Sequence, residues 1–130
     1  MFSSCTNLRQ APRLANTTTD MSYAFQSCYN LIYTPNNPNS VTNLYFAFDY
    51  CKNLNQNITV GTGAVNMSRM FRYCTNFTKN IYVDSNVVSN GRNIFYGTSS
   101  TKNIYVYAGT TTNSTFMSWN GTNGINVRTR

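Results

Sequence analysis

The chain has 130 residues, of which 41% are hydrophobic, 15% aromatic and only 10% charged, and its net charge is +7. This length fits one domain, and so many aromatic residues with so little charge exclude an intrinsically disordered chain. Histidine is absent and the three aspartates lie 29 and 35 positions apart, which excludes an acid–base pair or a histidine-activated nucleophile; we therefore predict a non-enzymatic protein without a cofactor.

A block of twelve residues recurs along the chain with a period of 23 residues. Its clearest copy is N-M-S-R-M-F-R-Y-C-T-N-F at residues 66–77, and copies precede it at 43–54 and 20–31. A later copy at 90–98 begins one residue late and has threonine in place of cysteine. Such a period indicates stacked repeats, and we predict that its two most regular positions form a core ladder. These positions are Phe2, Phe25, Phe48, Phe71 and Phe95, and Cys5, Cys28, Cys51 and Cys74.

Each block has the spacing of a short amphipathic helix. Residues 67, 70, 71 and 74 are apolar at positions i, i+3, i+4 and i+7, which lie on one helical face. Asn66 stands where a side chain caps the first turn, and Asn76 follows the cysteine as a residue that tolerates the left-handed conformation of a helix end. We therefore predict a two-turn helix in every copy.

A second recurring segment predicts a short strand after each helix. Residues 57–60, 80–83 and 103–106 read N-I-T-V, N-I-Y-V and N-I-Y-V, again 23 positions apart. Stacking would place these strands in a parallel sheet, with isoleucine and valine inward and the residue between them outward. In the first two repeats, Pro12 and Pro35 occupy the strand position, which weakens ladder pairing there.

The chain divides into two predicted parts. The repeats occupy residues 1–109, and because the first copy begins inside a block, we predict that this part is N-terminally truncated and belongs to a longer protein. The period fails beyond Val106, so we predict that residues 110–130 form a C-terminal cap, in which Phe116 and Trp119 cover the open end of the core.

The repeats resemble the BspA-like leucine-rich repeats, in their asparagine-rich variant N-M-S-x-M-F-x-x-C-x-N-L. Residues 67–77 fit nearly every fixed position, with Phe77 in place of leucine, and the resemblance covers residues 1 to about 107. It implies an α/β solenoid, a leucine-rich-repeat-like stack of about five 23-residue repeats, each with a short helix and a short strand. The family occurs in surface proteins of bacteria and protists and in phage tail proteins, where it serves adhesion or recognition without catalytic residues.

The four cysteines are predicted to be buried free thiols. As one residue per repeat, they form a row with members ~5 Å apart, and four ligands on a line cannot surround one zinc ion. Neighbouring cysteines could approach within disulfide distance, but their side chains point the same way into the core. We expect no metal site.

Two surfaces are candidates for ligand binding. The first is the strand face, where an outward-facing row of threonine and tyrosine is accompanied by lysines three residues before each tyrosine. Aromatic and β-branched residues also favour strands for structural reasons alone. The residues of this face are Thr59, Lys79, Tyr82, Lys102 and Tyr105. The second surface follows the outer side of the predicted helices, where exposed aromatic residues could instead pack against a neighbouring chain. Its residues are Tyr23, Phe46, Tyr50, Arg69, Arg72, Tyr73 and Arg92.

These features predict a recognition or adhesion module from the C-terminal part of a cell-surface adhesin or phage receptor-binding tail protein. The expected location is extracellular, on a cell surface or on a virion, and the expected partner is a cell-surface protein or an anionic glycan. The alternative is a structural spacer or self-assembly domain of a larger surface or virion protein. Scattered basic residues without a dense groove disfavour nucleic acid, and no apolar stretch reaches the ~20 residues of a membrane span.

Overall fold

The computed structural model describes residues 1–85, 87–97, 104–108 and 125–129, of which 104–108 and 129 are described by their backbone alone. Four short strands form one parallel sheet in the order β1-β2-β3-β4. In β1 and β2, the isoleucine and valine are buried and the residue between them is half-buried. The strands are Ile58–Val60 (β1), Ile81–Val83 (β2), Ile104–Ala108 (β3) and Ile125–Thr129 (β4).

The predicted helices are absent from the part of the chain that the structure describes, so the prediction of an α/β solenoid built from helix–strand repeats is wrong. A helix would direct each backbone N–H to the carbonyl four residues earlier. Here the N–H groups of Met21, Tyr23 and Phe25 donate instead to carbonyls 22 residues later, at 2.8–2.9 Å. The blocks therefore lie side by side and are joined to one another by backbone hydrogen bonds.

Left-handed backbone conformations prevent the helix. Tyr23 and Ser27 have φ angles of 56° and 59°, and the equivalent pairs in the later blocks are also positive. Between them, alternate N–H groups close local turns, as Ala24 does onto the Met21 carbonyl at 3.0 Å. Successive turns thus bury positions i, i+3, i+4 and i+7 on one side, which is the spacing that predicted a helix. The later pairs are Phe46 and Tyr50, Arg69 and Tyr73, and Asn93 and Gly97.

The asparagines that were predicted to begin and end the helices have other roles. The Asn66 side chain accepts a hydrogen bond from the Ser68 N–H at 3.0 Å, which closes a turn two residues long. Asn76 does not have a left-handed backbone; its side chain donates to that of Asn53 at 3.2 Å, and Asn53 donates likewise to Asn30 at 3.4 Å. These contacts join neighbouring repeats.

Phenylalanine rings and thiols occupy the core. The rings at positions 2, 25, 48, 71 and 95 stack in one column, with neighbouring centroids 5.1–5.6 Å apart. Each buried thiol donates to a carbonyl 26 residues earlier, as Cys74 does to Phe48 at 3.0 Å. Cys5 was predicted in this ladder but is exposed, because the first copy lies at the edge of the stack; Phe2 is only partly buried there.

The pairing register shifts between β2 and β3. Thr59 pairs with Tyr82 across 23 positions, but Tyr82 pairs with Tyr107 across 25. The predicted outward row of Thr59, Tyr82 and Tyr105 is therefore wrong at its last member, since Tyr107 and not Tyr105 pairs with Tyr82. A shift of two residues preserves the two-residue alternation along the backbone, so the sheet can accept it.

The first two repeats contain a single parallel bridge, between Gln10 and Tyr33, instead of a strand pair. Beside Pro35, the Gln56 side chain replaces the missing ladder: its amide donates to the Thr34 carbonyl at 2.6 Å and accepts from the Thr34 N–H at 3.0 Å. One side chain therefore satisfies both backbone groups of a residue next to proline.

Within residues 110–130, the described part is β4. The remainder of the predicted cap, including Phe116 and Trp119, lies outside the described residues. Over the described ranges, the structure contains no helix of the length and apolarity needed to cross a membrane.

Candidate functional site

Six of the seven residues of the second predicted surface form one connected cluster on the turns. Tyr45 and Tyr96, which the sequence argument did not select, also belong to it through ring contacts with Tyr23 and Tyr73. We call this cluster the aromatic–arginine surface. Its members are Tyr23, Tyr45, Phe46, Tyr50, Arg69, Arg72, Tyr73 and Tyr96.

The left-handed turns position most of these side chains. Tyr23, Phe46, Tyr50, Arg69 and Tyr73 all have φ between 52° and 60°. Such a backbone is uncommon for bulky residues and costs on the order of 1 kcal/mol or more at each position. The turn residues without positive φ, by contrast, supply the buried phenylalanine and cysteine columns. The same backbone pattern thus separates the phenylalanine and cysteine columns from the aromatic–arginine surface.

The rings of the surface stack along the repeat axis. Tyr23 lies over Phe46 with centroids 5.2 Å apart and planes within 9°, and Tyr50 lies over Tyr73 at 4.6 Å and 24°. Stacking covers one face of each ring and leaves the ring edges and the tyrosine hydroxyl groups uncovered by the partner ring. Tyr23 keeps 40% of its surface exposed and Tyr96 keeps 50%, whereas Phe46 is buried.

Arg72 joins the two ring stacks. Its guanidinium carbon lies 4.6 Å from the Phe46 ring centroid and 5.6 and 5.3 Å from those of Tyr50 and Tyr73. Its Nε and Nη2 donate to the Asp49 carboxylate at 2.8 and 3.0 Å. The hydrogen bond from Arg72 to Asp49 raises the pKa of Arg72, so its charge is permanent.

Asp49 is a further residue of this site that the sequence argument missed. It is completely buried, and its carboxylate also accepts a hydrogen bond from the Gln26 side chain at 3.1 Å. The signal that could have found it is its place 23 residues before Arg72, which puts opposite charges on adjacent repeats. Because the pair is bidentate and internal, it is structural, and Arg72 carries no spare charge for a ligand.

Arg69 and Arg92 differ from Arg72. The Arg69 guanidinium carbon lies 5.6 Å from the Phe46 centroid, and its backbone N–H donates to the Arg92 carbonyl at 3.0 Å. Among the described residues, the Arg72–Asp49 pair is the one salt bridge, so neither Arg69 nor Arg92 has a carboxylate partner there. Arg92 was predicted to continue the row of Tyr23, Phe46 and Arg69, which is wrong; a one-residue insertion gives that place to Asn93, with φ 56°.

The strand-face candidates are less closely assembled. Thr59 and Tyr82 are half-buried neighbours, and the Tyr82 hydroxyl accepts from the Asn80 side chain at 3.2 Å. Lys79 is exposed, Tyr105 is displaced by the register shift, and Lys102 lies outside the described residues. The aromatic–arginine surface is therefore the better-defined candidate.

Comparison with known proteins adds one match. A family model described as Mycoplasma protein of unknown function, DUF285, matches residues 19–127, which include every complete copy of the block. No curated protein and no solved structure matches the chain significantly.

Proposed function

We propose that this chain, which belongs to the DUF285 family, is a non-enzymatic recognition module of the BspA-like type that binds a cell-surface ligand through the aromatic–arginine surface. It would be part of a cell-surface adhesin or of a phage receptor-binding tail protein, and would act outside the cell or on a virion.

The observation that carries the proposal is the repeated placement of tyrosine and arginine at strained positions outside the buried phenylalanine and cysteine columns. Tyr23 and Arg69 have left-handed backbones, at φ 56° and 52°, yet neither belongs to the phenylalanine and cysteine columns. Strained residues concentrate at functional sites, and tyrosine and arginine are enriched among the residues that dominate protein interfaces. A purely solubilising surface would need neither.

Two outer tyrosines provide the test, because they are the most exposed rings of the surface. We expect the double variant Tyr23→Ala and Tyr96→Ala to lose retention of intact cells on the immobilised protein, measured over a panel of bacterial and animal cells. The matched control is Tyr29→Ala with Tyr33→Ala, since those rings are 41% and 58% exposed but make no ring contact with the surface. Equal retention by both double variants and the parent would contradict the proposal.

The same proteins distinguish recognition from self-assembly. If the aromatic–arginine surface instead binds copies of this chain, the mass measured by light scattering will rise with concentration and fall in the Tyr23→Ala and Tyr96→Ala variant. Phe46, one of the rings that could have packed against a neighbouring chain, is covered by Tyr23, Tyr45 and Arg72 within its own chain. A parent protein that stays monomeric over the assay range supports recognition.

A further inference from the structure

We propose that the aromatic–arginine surface binds an acidic polysaccharide, whose sulfate or carboxylate groups contact Arg69 of that surface and the exposed Arg92 on the repeat beside it. The inference rests on the proposed function and names the class of ligand that this surface takes. It follows from three properties of the described residues: where the spare positive charge lies, which parts of the rings are accessible, and where the carboxylates of Asp49 and Asp20 lie relative to Arg69.

The spare positive charge lies on two adjacent repeats. The Arg69 N–H to Arg92 carbonyl bond of 3.0 Å places the two backbones next to each other, about 5 Å apart. The guanidinium of Arg69 is held against Phe46 by a cation–π contact, which leaves its N–H donors for an external acceptor. Two forked donors on adjacent repeats suit a chain that carries repeated anionic groups, because each guanidinium can bind a sulfate or carboxylate in a bidentate manner.

The stacking of the rings reduces the aromatic surface that is available to neutral sugars and nucleic acid bases. Both of those ligands bind by lying on exposed aromatic faces. In each of the two stacks, one face of each ring is covered by the other ring, at 5.2 Å for Tyr23 and Phe46 and 4.6 Å for Tyr50 and Tyr73. The exposed ring edges carry positive electrostatic potential and favour anions. Tyrosine hydroxyls at the edges can also hydrogen-bond the sugar hydroxyls between anionic groups.

Neither Asp49 nor Asp20 opposes an anion at Arg69. Asp49 is completely buried and paired with Arg72. Asp20 is bridged to Asn43, and Asn43 is bridged to Asn66 in the block that contains Arg69. Two such steps of about 5 Å place Asp20 about 10 Å from that block. At physiological ionic strength, a charge at that distance is largely screened.

The test compares dextran sulfate with unsulfated dextran, which share one backbone, in binding to the full chain. We expect the parent to bind dextran sulfate and not dextran, and the double variant Arg69→Gln and Arg92→Gln to bind dextran sulfate about tenfold or more weakly, as expected for the loss of charge-assisted hydrogen bonds. The control Arg9→Gln with Arg13→Gln removes the same net charge from the exposed first repeat and should change affinity less than about twofold. Matching thermal melting curves would show that all variants are folded.

Several results would overturn the inference. Equal weakening in the two double variants would mean that net charge alone is responsible. Binding of unsulfated dextran, or equally tight binding of single-stranded DNA or of vesicles rich in an anionic phospholipid, would assign the surface to another ligand. If cell retention still depends on Tyr23 and Tyr96 while dextran sulfate does not bind, the recognition role stands and the acidic polysaccharide is wrong.

Discussion

The buried side chain of Asn37 destabilises the fold, and replacing it should make the protein more stable. Asn37 lies 23 residues before Val60 and 46 before Val83, both fully buried in the sheet. It therefore occupies an inward core position in a repeat that has no strand. The side chain is only 6% exposed, and neither its Nδ2 nor its Oδ1 has a hydrogen-bond partner among the described residues.

The magnitude follows from the loss of hydrogen bonds with water. A buried polar group without a partner costs about 1–3 kcal/mol, and valine would add apolar burial of about the kind seen at Val60. Since the backbone N–H of Asn37, which lies 3.5 Å from the Thr59 carbonyl, remains in place, we expect Asn37→Val to raise the free energy of unfolding by about 2 kcal/mol. For a chain of this length, that corresponds to about 8 °C in Tm.

Urea denaturation followed by circular dichroism measures the effect. We expect the midpoint to rise by about 1 M with an unchanged slope. Asn36→Val is the matched control, because the neighbouring Asn36 is exposed and its substitution should change stability by less than about 0.5 kcal/mol. A midpoint that stays the same or falls in Asn37→Val would refute the reasoning and show that the amide is bonded, for instance to a buried water.

Further predictions concern the thiols, the ion pair of Arg72 with Asp49, and the Gln56 side chain that bonds to the Thr34 backbone. Iodoacetamide should label Cys5 in the native protein and leave Cys28, Cys51 and Cys74 unmodified, as peptide mass mapping would show; uniform labelling would contradict their burial. Burial raises the pKa of these three thiols, so their contribution to stability is complete well below the unfolded thiol pKa of about 8.5, and stability should fall as the pH rises through that value in urea titrations against pH. Arg72→Ala should destabilise by about 3–5 kcal/mol because it strands the buried Asp49, whereas Asp49→Asn should cost about 1–2 kcal/mol because Arg72 reaches solvent; the reverse order in urea melts would refute the argument. Gln56→Ala should lower the free energy of unfolding by about 1–2 kcal/mol, because the N–H and the carbonyl of Thr34 lose their hydrogen bonds. The control Gln10→Ala, at an exposed position, should leave the free energy of unfolding unchanged.

The sequence specified which residues share a row but not the backbone that aligns them. Rows follow from the period alone, so the predicted surface already contained Tyr23, Phe46 and Arg69. The helix prediction failed because two structures share its spacing. A helix buries positions i, i+3, i+4 and i+7, and so does a series of turns in which an N–H bonds to the carbonyl three residues earlier. Residue spacing cannot distinguish the two.

The changes of pairing register could not be predicted from the sequence, for a different reason. An insertion was visible near Asn90, but its effect depends on which residues bond across repeats. The bridge from Asn66 to Asn90 spans 24 positions, and the pair of Tyr82 with Tyr107 spans 25. These offsets moved Asn93 into the place expected for Arg92 and Tyr107 into the place expected for Tyr105. A shift of two residues leaves the alternation of buried and exposed positions unchanged, so no hydrophobic pattern reports it.

The left-handed positions show why this surface is more than a by-product of stacking. Their backbone angles lie between 52° and 60° whether the residue is serine, tyrosine, phenylalanine, arginine or asparagine, so the bonds between repeats set the conformation and the side chain does not. Asparagine or glycine would adopt it at the lowest cost, as Asn93 and Gly97 do in the last block. In the middle blocks, the cost of this conformation for tyrosine, phenylalanine and arginine must then be offset by favourable contacts of their side chains. Ring stacking provides part of that compensation for Phe46 and Tyr50. For Arg69, which has one cation–π contact and no ion pair among the described residues, a bound anion would provide the rest.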